Sequence, residues 1–229
     1  VWDWYYGDQI KNLVEVIKQT GEGGFEEGRR KNTREAARIL KVVNFHRLTD
    51  WFGNIPYTEA NKGIESIYKP VYDKQQDIYA DMLKELDEAC TNISASNEDD
   101  GFAAADMIYQ GDISKWKKWG YSVMLRLAMR MSKVDAAGAA NYVSKAVAGG
   151  VFESNDDNAI ILMSTPQLWN NQNGLVRAFI DGSQPSTLSK TLVDQLKGTN
   201  AASAADDDPR LLIISGGVDG NMDPLVQRG

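Results

Sequence analysis

Residues 47–60 read RLTDWFGNIPYTEA, and they join the end of one amphipathic helix to an exposed loop. Upstream, Asn32 with Glu35 three residues on forms an N-terminal capping pair, and apolar residues recur at Ala36, Leu40, Val43, Leu48, Trp51 and Phe52 with helical spacing. Gly53 is expected to stop the helix, because glycine takes the left-handed turn that satisfies the last carbonyls. Asn54 tolerates that turn, and Pro56 forces Ile55 into an extended conformation. Trp51, Phe52, Ile55 and Tyr57 therefore surround one tight corner. Their expected role is to pin the loop back on the helix, not to hold a ligand.

Working outward, the stretch from Trp2 to Gln19 repeats apolar residues at Tyr6, Ile10, Leu13, Val14 and Ile17 and predicts a packed helix ended by GEGG at 21–24. A loop over Asn61 to Pro70 leads to PVYDKQQDIYADMLKELDEA, residues 70–89. There Asp73 and Gln76 form a capping pair, and Ile78, Met82, Leu83, Leu86 and Ala89 make an apolar stripe. Residues 91–107 are small and polar and read as an exposed loop. Their run Ser96-Asn97-Glu98-Asp99-Asp100-Gly101 fails the ligand spacing of a calcium loop and reads as solvated.

Residues 106–132, DMIYQGDISKWKKWGYSVMLRLAMRMS, predict a long helix capped by Asp112, with Trp116, Gly120, Val123, Leu127 and Met131 on its buried face. Arg126 and Arg130 lie four apart. Such a pair suits an anion, but the expected reading is structural, with the stems packed and the guanidiniums on loop carboxylates. A shorter helix runs from Asp135 through Ala139, Val143 and Val147 to the Gly149-Gly150 stop. Beyond it, AIILMS (159–164) and LLIIS (211–215) read as short extended segments, and Ser186 to Lys197 as a helix closing at Gly198. The helices are spaced about forty residues apart, close to the pitch of helical-hairpin repeats.

The chain has 229 residues, 42% of them hydrophobic, which is enough to bury a sizeable core. With 25 basic against 32 acidic residues the formal charge is −7, and no basic stripe is present to displace phosphate counterions, so nucleic acid is not an expected partner. No run of eighteen apolar residues predicts a membrane span. The single cysteine, Cys90, excludes an internal disulfide framework and reads as a small packed side chain. Enzyme chemistry finds no foothold. His46, the one histidine, sits within a helix far from any serine or cysteine nucleophile motif and reads as a satisfied, partly buried imidazole. No His/Cys metal spacing or phosphate loop occurs, so neither cofactor nor metal is expected. An all-helical glycosidase would need two carboxylates facing across a cleft at about 5 Å or more, and the runs Asp156-Asp157 and Asp206-Asp207-Asp208 lie in polar loops instead.

RLTDWFGNIPYTEA, PVYDKQQDIYADMLKELDEA, DMIYQGDISKWKKWGYSVMLRLAMRMS and DDDPRL (206–211) occur in the order seen in the SusD/RagB-like outer-membrane lipoproteins of Bacteroidota, and the chain resembles the SusD-like, starch-binding branch of that family. The resemblance spans residues 30 to 215. It implies a mainly α fold of irregular tetratricopeptide-like hairpins with long loops and a few short extended segments. It also implies a non-catalytic, lipid-anchored cell-surface protein that captures oligosaccharide, or in some relatives peptide, for a TonB-dependent transporter of the SusC type. Family members are longer and carry a signal peptide with a lipidated cysteine, so the chain reads as an excerpt of one SusD-like domain, with a helical scaffold to about residue 150 and a loop-rich region over about 151–229. A generic helical protein-binding scaffold is the alternative reading.

On the resemblance, Trp51, Gly53, Pro56, Tyr57, Tyr72, Asp73, Tyr79, Asp112, Trp116, Arg126, Arg130, Asp208, Pro209 and Arg210 occupy motif positions expected to serve the fold. The ligand candidates come from a different stretch. A sugar offers apolar C–H faces and a rim of hydroxyls, so its site needs an exposed aromatic beside amides or carboxylates. Trp169 is followed by Asn170, Asn171, Gln172 and Asn173, with Arg177 and Asp181 beyond, and no other stretch pairs a tryptophan with so many amides.

Overall fold

A computed structural model describes residues 1–99, 101–161, 189–199 and 206–211. It divides into two compact units, 1–161 and 162–229. In the first, a short helix α1 (Trp2–Trp4), a π-helical stretch (Tyr5–Ile10) and α2 (Lys11–Gln19) are followed by α3 (Lys31–Phe52), α4 (Gln75–Asn92), the single turn α5 (Phe102–Ala105), α6 (Ile113–Met131) and α7 (Ala136–Gly149). The long helices pack in chain order, α2 on α3, α3 on α4, α4 on α6 and α6 on α7. This is the stacked, mainly helical architecture expected. The second unit contains α8 (Lys190–Leu196), begun by Ser189, whose hydroxyl accepts the Leu192 N–H. Among the described residues the only β pairing is an isolated antiparallel bridge between Ile55 and Asp73.

One apolar core runs through the first unit. The α4 stripe is fully buried, with Ile78, Met82, Leu83, Leu86 and Ala89 all at 0% exposure. Phe45, Leu48 and Ile39 meet it from α3, and Trp116, Met124 and Leu127 from α6. Gly120 sets how closely α6 approaches its neighbours. A β-carbon there would stand 2.3 Å from Cys90 Sγ and 3.2 Å from Ile39 Cδ1. Cys90 is packed as expected, and burial pushes its thiol up to about 12. Asp112 caps α6 by accepting the Ser114 and Lys115 N–H groups, and Asp135 does the same for Gly138 at the start of α7.

Two helix starts, those of α3 and α4, differ from the sequence reading, for one reason: the caps come from distant residues. Asn32 does not cap α3. Its side chain instead exchanges hydrogen bonds with the Ser94 main chain, at 3.0 and 3.1 Å. The Thr33 N–H at the start of α3 is taken by Asp99 at 2.7 Å, so a carboxylate read as solvated is buried as a cap. Asp73 does not cap α4 either; it clamps the corner, accepting from the N–H groups of Tyr57 and Thr58 at 3.0 and 2.8 Å. The Gln75 N–H is satisfied by Asn54 from that corner. The 91–107 loop also has more structure than expected, since α4 reaches Asn92 and Phe102 and Asp106 are buried. Val147 of α7 is exposed, and the buried contacts of that helix are Ala139 and Ala146.

Candidate functional site

The corner after α3 is held from several sides. Gly53 has φ +74° and ψ −116°, a region only glycine enters easily, and not the left-handed helical turn expected. Ile55 is fully buried, Pro56 is buried with its carbonyl accepting from Tyr6 Oη at 2.7 Å, and Tyr57 packs edge-on against Phe45 while donating to Asp81 at 2.7 Å. Ile55 and Tyr57 thus pin the corner as expected, and Pro56 joins them through its carbonyl.

Trp51 and Phe52 do not. They are 57% and 48% exposed, on the outer face of the last turn of α3. Trp51 meets Tyr5 edge-on at 5.8 Å, and Tyr5 meets Trp4, itself 59% exposed, at 6.0 Å. Phe52 meets Trp2 at 5.1 Å, and Trp2 stacks at 16° on Tyr72, which is 64% exposed. Around the corner, Trp4, Trp51, Phe52 and Tyr72 therefore leave ring surface exposed, joined in two chains through the buried Tyr5 and the half-buried Trp2. Large exposed rings gathered at one place are unusual on a solvated surface. The periodicity that places Trp51 and Phe52 on the apolar side of α3 could not show that the core ends one turn earlier.

Beside this surface, Asp50 of α3 gathers two partners that also bond each other. Tyr79 Oη donates to it at 2.6 Å, Arg130 Nη2 lies 2.8 Å away, and Arg130 Nε donates to Tyr79 Oη at 3.2 Å. Burial, then the Asp50 hydrogen bond, pushes the Tyr79 phenol up to about 12. Arg130 thus pairs with a helix carboxylate and not with a loop one, because α3 and α6 both pack against α4. Arg126, one turn earlier, has no hydrogen bond or ion pair among the described residues. His46 Nε2 lies 3.0 Å from Asp50 Oδ2 but is not aligned for a hydrogen bond, and it has no other partner there. The satisfied histidine of the sequence reading is therefore an unsatisfied one. Burial lowers the His46 pKa; Asp50 opposes this, and Arg130, Arg126 and Arg47 add to it, so the ring is neutral at neutral pH.

Other carboxylates near the helix ends hold the chain in shape. Asp106 accepts from the Ile108, Tyr109 and Gly111 N–H groups and from Trp116 Nε1 at 2.7 Å, which fixes the loop before α6 and orients Trp116. Asp157 takes the Glu153 N–H and Lys118. In the second unit, Asp208 caps its own turn: its N–H donates to Leu196 O, Pro209 follows, and Arg210 grips its carboxylate, holding the Asp208 pKa at about 2. No group of three or more His, Cys, Asp or Glu side chains among the described residues is arranged to hold a metal. Trp169, Asn170, Asn171, Asn173 and Arg177 lie outside the described residues. No described helix is long and apolar enough to cross a membrane.

The chain matches the model of the SusD-like family, described as starch-binding and associating with the outer membrane, over residues 1–223. Among solved structures it is similar to a chitin-binding protein, at 39% identity and a TM-score of 0.71, covering 85% of this chain and 39% of that one. It is likewise similar to a SusD/RagB family protein from Bacteroides thetaiotaomicron, at 29% identity and a TM-score of 0.66, with 79% and 36% covered. A chitin-binding SusD homolog from Flavobacterium johnsoniae is similar at 28% identity and a TM-score of 0.64, with 78% and 36% covered. The comparison with curated proteins found no match. The chain spans well under half the length of these solved relatives. From its helical order, its corner and the family match along nearly its whole length, this chain belongs to the SusD-like family.

Proposed function

We propose that this chain is part of a non-catalytic, lipid-anchored protein of the outer cell surface that captures oligosaccharide and hands it to a TonB-dependent transporter of the SusC type. The observation that carries the reading is the exposed ring surface of Trp4, Trp51, Phe52 and Tyr72, the kind of surface on which sugar rings lay their C–H faces. The chitin-binding relatives favour a β-linked amino sugar polymer as the first ligand to try. Binding without cleavage is supported by how the carboxylates are used. Asp50, Asp73, Asp99, Asp106 and Asp157 are each committed to a backbone or side-chain donor. Trp169, with Asn170, Asn171, Asn173 and Arg177, is proposed as a second sugar platform within the loop-rich part of the same domain.

The test is calorimetric titration of the complete protein with chitooligosaccharides, comparing wild type with Trp51→Ala. Aromatic stacking of about 1 to 3 kcal/mol, taking stacking on bases as the analogue, corresponds to a loss of roughly tenfold. Because Trp51 is more than half exposed, its melting temperature should stay close to wild type. Normal binding by a folded Trp51→Ala variant, or release of reducing ends from any glycan, would refute the reading.

A further inference from the structure

The protein is acidic overall, with a formal charge of −7, yet one groove of its first unit reverses that balance. The groove runs along the outer faces of α3 and α6, and it contains three guanidiniums, Arg47, Arg126 and Arg130, against the single carboxylate of Asp50. Asp50 is already shared by Tyr79 and Arg130. Arg47 and Arg126 are exposed and make no hydrogen bond or ion pair among the described residues. Two guanidiniums that line one groove without a carboxylate of their own among the described residues give it a positive potential that favours a negatively charged ligand.

A second observation points into the same groove. His46 lines it at 6% exposure, and its Nε2, buried 3.0 Å from Asp50 Oδ2, makes no hydrogen bond among the described residues. A buried polar nitrogen left empty costs free energy unless a ligand or water completes it. The walls then indicate what kind of anion fits. Trp51 opens onto the groove from the aromatic surface, and Trp119 faces it from α6. A simple inorganic ion would gain nothing from indole rings. A sugar ring carrying an acidic substituent would use both parts, its C–H face on a tryptophan and its charged oxygens on the forked guanidiniums.

We infer that the groove between α3 and α6, built from Arg47, Arg126, His46, Trp51 and Trp119, is a binding site for an anionic sugar, one that bears a carboxylate or a sulfate. The inference rests on the glycan-capture reading and narrows it: beside a neutral polymer on the exposed rings, the protein takes a charged one in the groove. Arg47 and Arg126 supply the charge recognition, His46 adds one neutral hydrogen-bonding nitrogen, and Arg130 is held back from the ligand by Asp50 and Tyr79.

The experiment uses the complete protein and four probes: polygalacturonate, the same polymer with its carboxyls reduced to alcohols, a sulfated carrageenan, and chitooligosaccharide. Wild type should bind one of the two anionic polymers with an affinity that falls as salt rises, and the reduced polymer far more weakly. Which of the two binds distinguishes carboxylate from sulfate. Arg47→Gln and Arg126→Gln should each weaken that binding by roughly tenfold or more, the scale of a hydrogen bond to a charged group, while chitooligosaccharide affinity is unchanged. Arg47 is exposed on α3, so its variant tests the site even if Arg126→Gln proves unstable. Binding of chitooligosaccharide with no binding of either anionic polymer overturns the groove assignment and leaves glycan capture standing. Failure of all four probes on folded protein overturns both. Unchanged anionic affinity in folded Arg47→Gln also overturns the assignment.

Discussion

Replacing Asp106 with Ala removes the acceptor for four donors at once. Two of them, the Ile108 and Gly111 N–H groups, belong to half-buried residues that water can reach. The other two, the Tyr109 N–H and Trp116 Nε1, belong to residues only 8% and 2% exposed and would be stranded. At about 1 to 3 kcal/mol for each stranded donor, the loss is roughly 2 to 6 kcal/mol. For a chain of this size each kcal/mol moves the midpoint by about 2 to 4 °C, so the variant should melt on the order of 10 °C lower at pH 7. The pH dependence gives a second check. Burial alone would raise the Asp106 pKa, but the Trp116 indole and the three backbone N–H groups outweigh it and hold the carboxyl below its ordinary value. A carboxylate with a depressed folded pKa contributes its full stability above the unfolded value, about 3.9, and loses it as pH falls through the folded one. The gap between wild type and Asp106→Ala, followed by calorimetry, should therefore be constant near neutrality and narrow below about pH 4. A variant melting within a degree or two of wild type at pH 7 would refute the argument, since it would mean that water replaces all four bonds.

Arg38 lies 9% exposed between Glu35, Glu85 and Glu88, and Arg38→Ala should cost roughly 3 to 5 kcal/mol by leaving buried carboxylates without their cation. Burial already raises the Glu35 pKa and Arg38 opposes it, so in the variant Glu35 should take up a proton more readily; thermal melts should show a smaller penalty at pH 5 than at pH 8. Gly120→Ala should destabilise by about 1 to 3 kcal/mol despite alanine's better helix propensity, because its methyl group meets Cys90 Sγ. The double variant with Cys90→Ala should recover most of that loss, and additive penalties in a double-mutant cycle would show that the contact is not the cause. Trp169→Ala should weaken glycan binding about tenfold with little change in melting temperature; early unfolding would assign Trp169 to the fold instead.

What the sequence by itself determined is local. The α4 stripe, the Asp112 cap, the start of α7 at Asp135, the Gly53 and Gly150 stops and the packed Cys90 all rest on residues within a turn or two of one another, and periodicity or capping chemistry reads such relations directly. Four motifs in order added the family, and with it the class of fold. Tertiary structure alone decided the rest. Asp99 reaches 66 positions back to start α3, and Asn54 reaches 21 positions forward to start α4; no nearby pattern announces either. Asp50 and Arg130 meet because two helices pack on a third, and Arg47 and Arg126 share a groove for the same reason. An apolar stripe says which side of α3 faces inward but not where along its length the neighbouring helices stop covering it. Exposure of Trp51 and Phe52 is set by that missing cover, so the aromatic surface emerges only once the chain is folded.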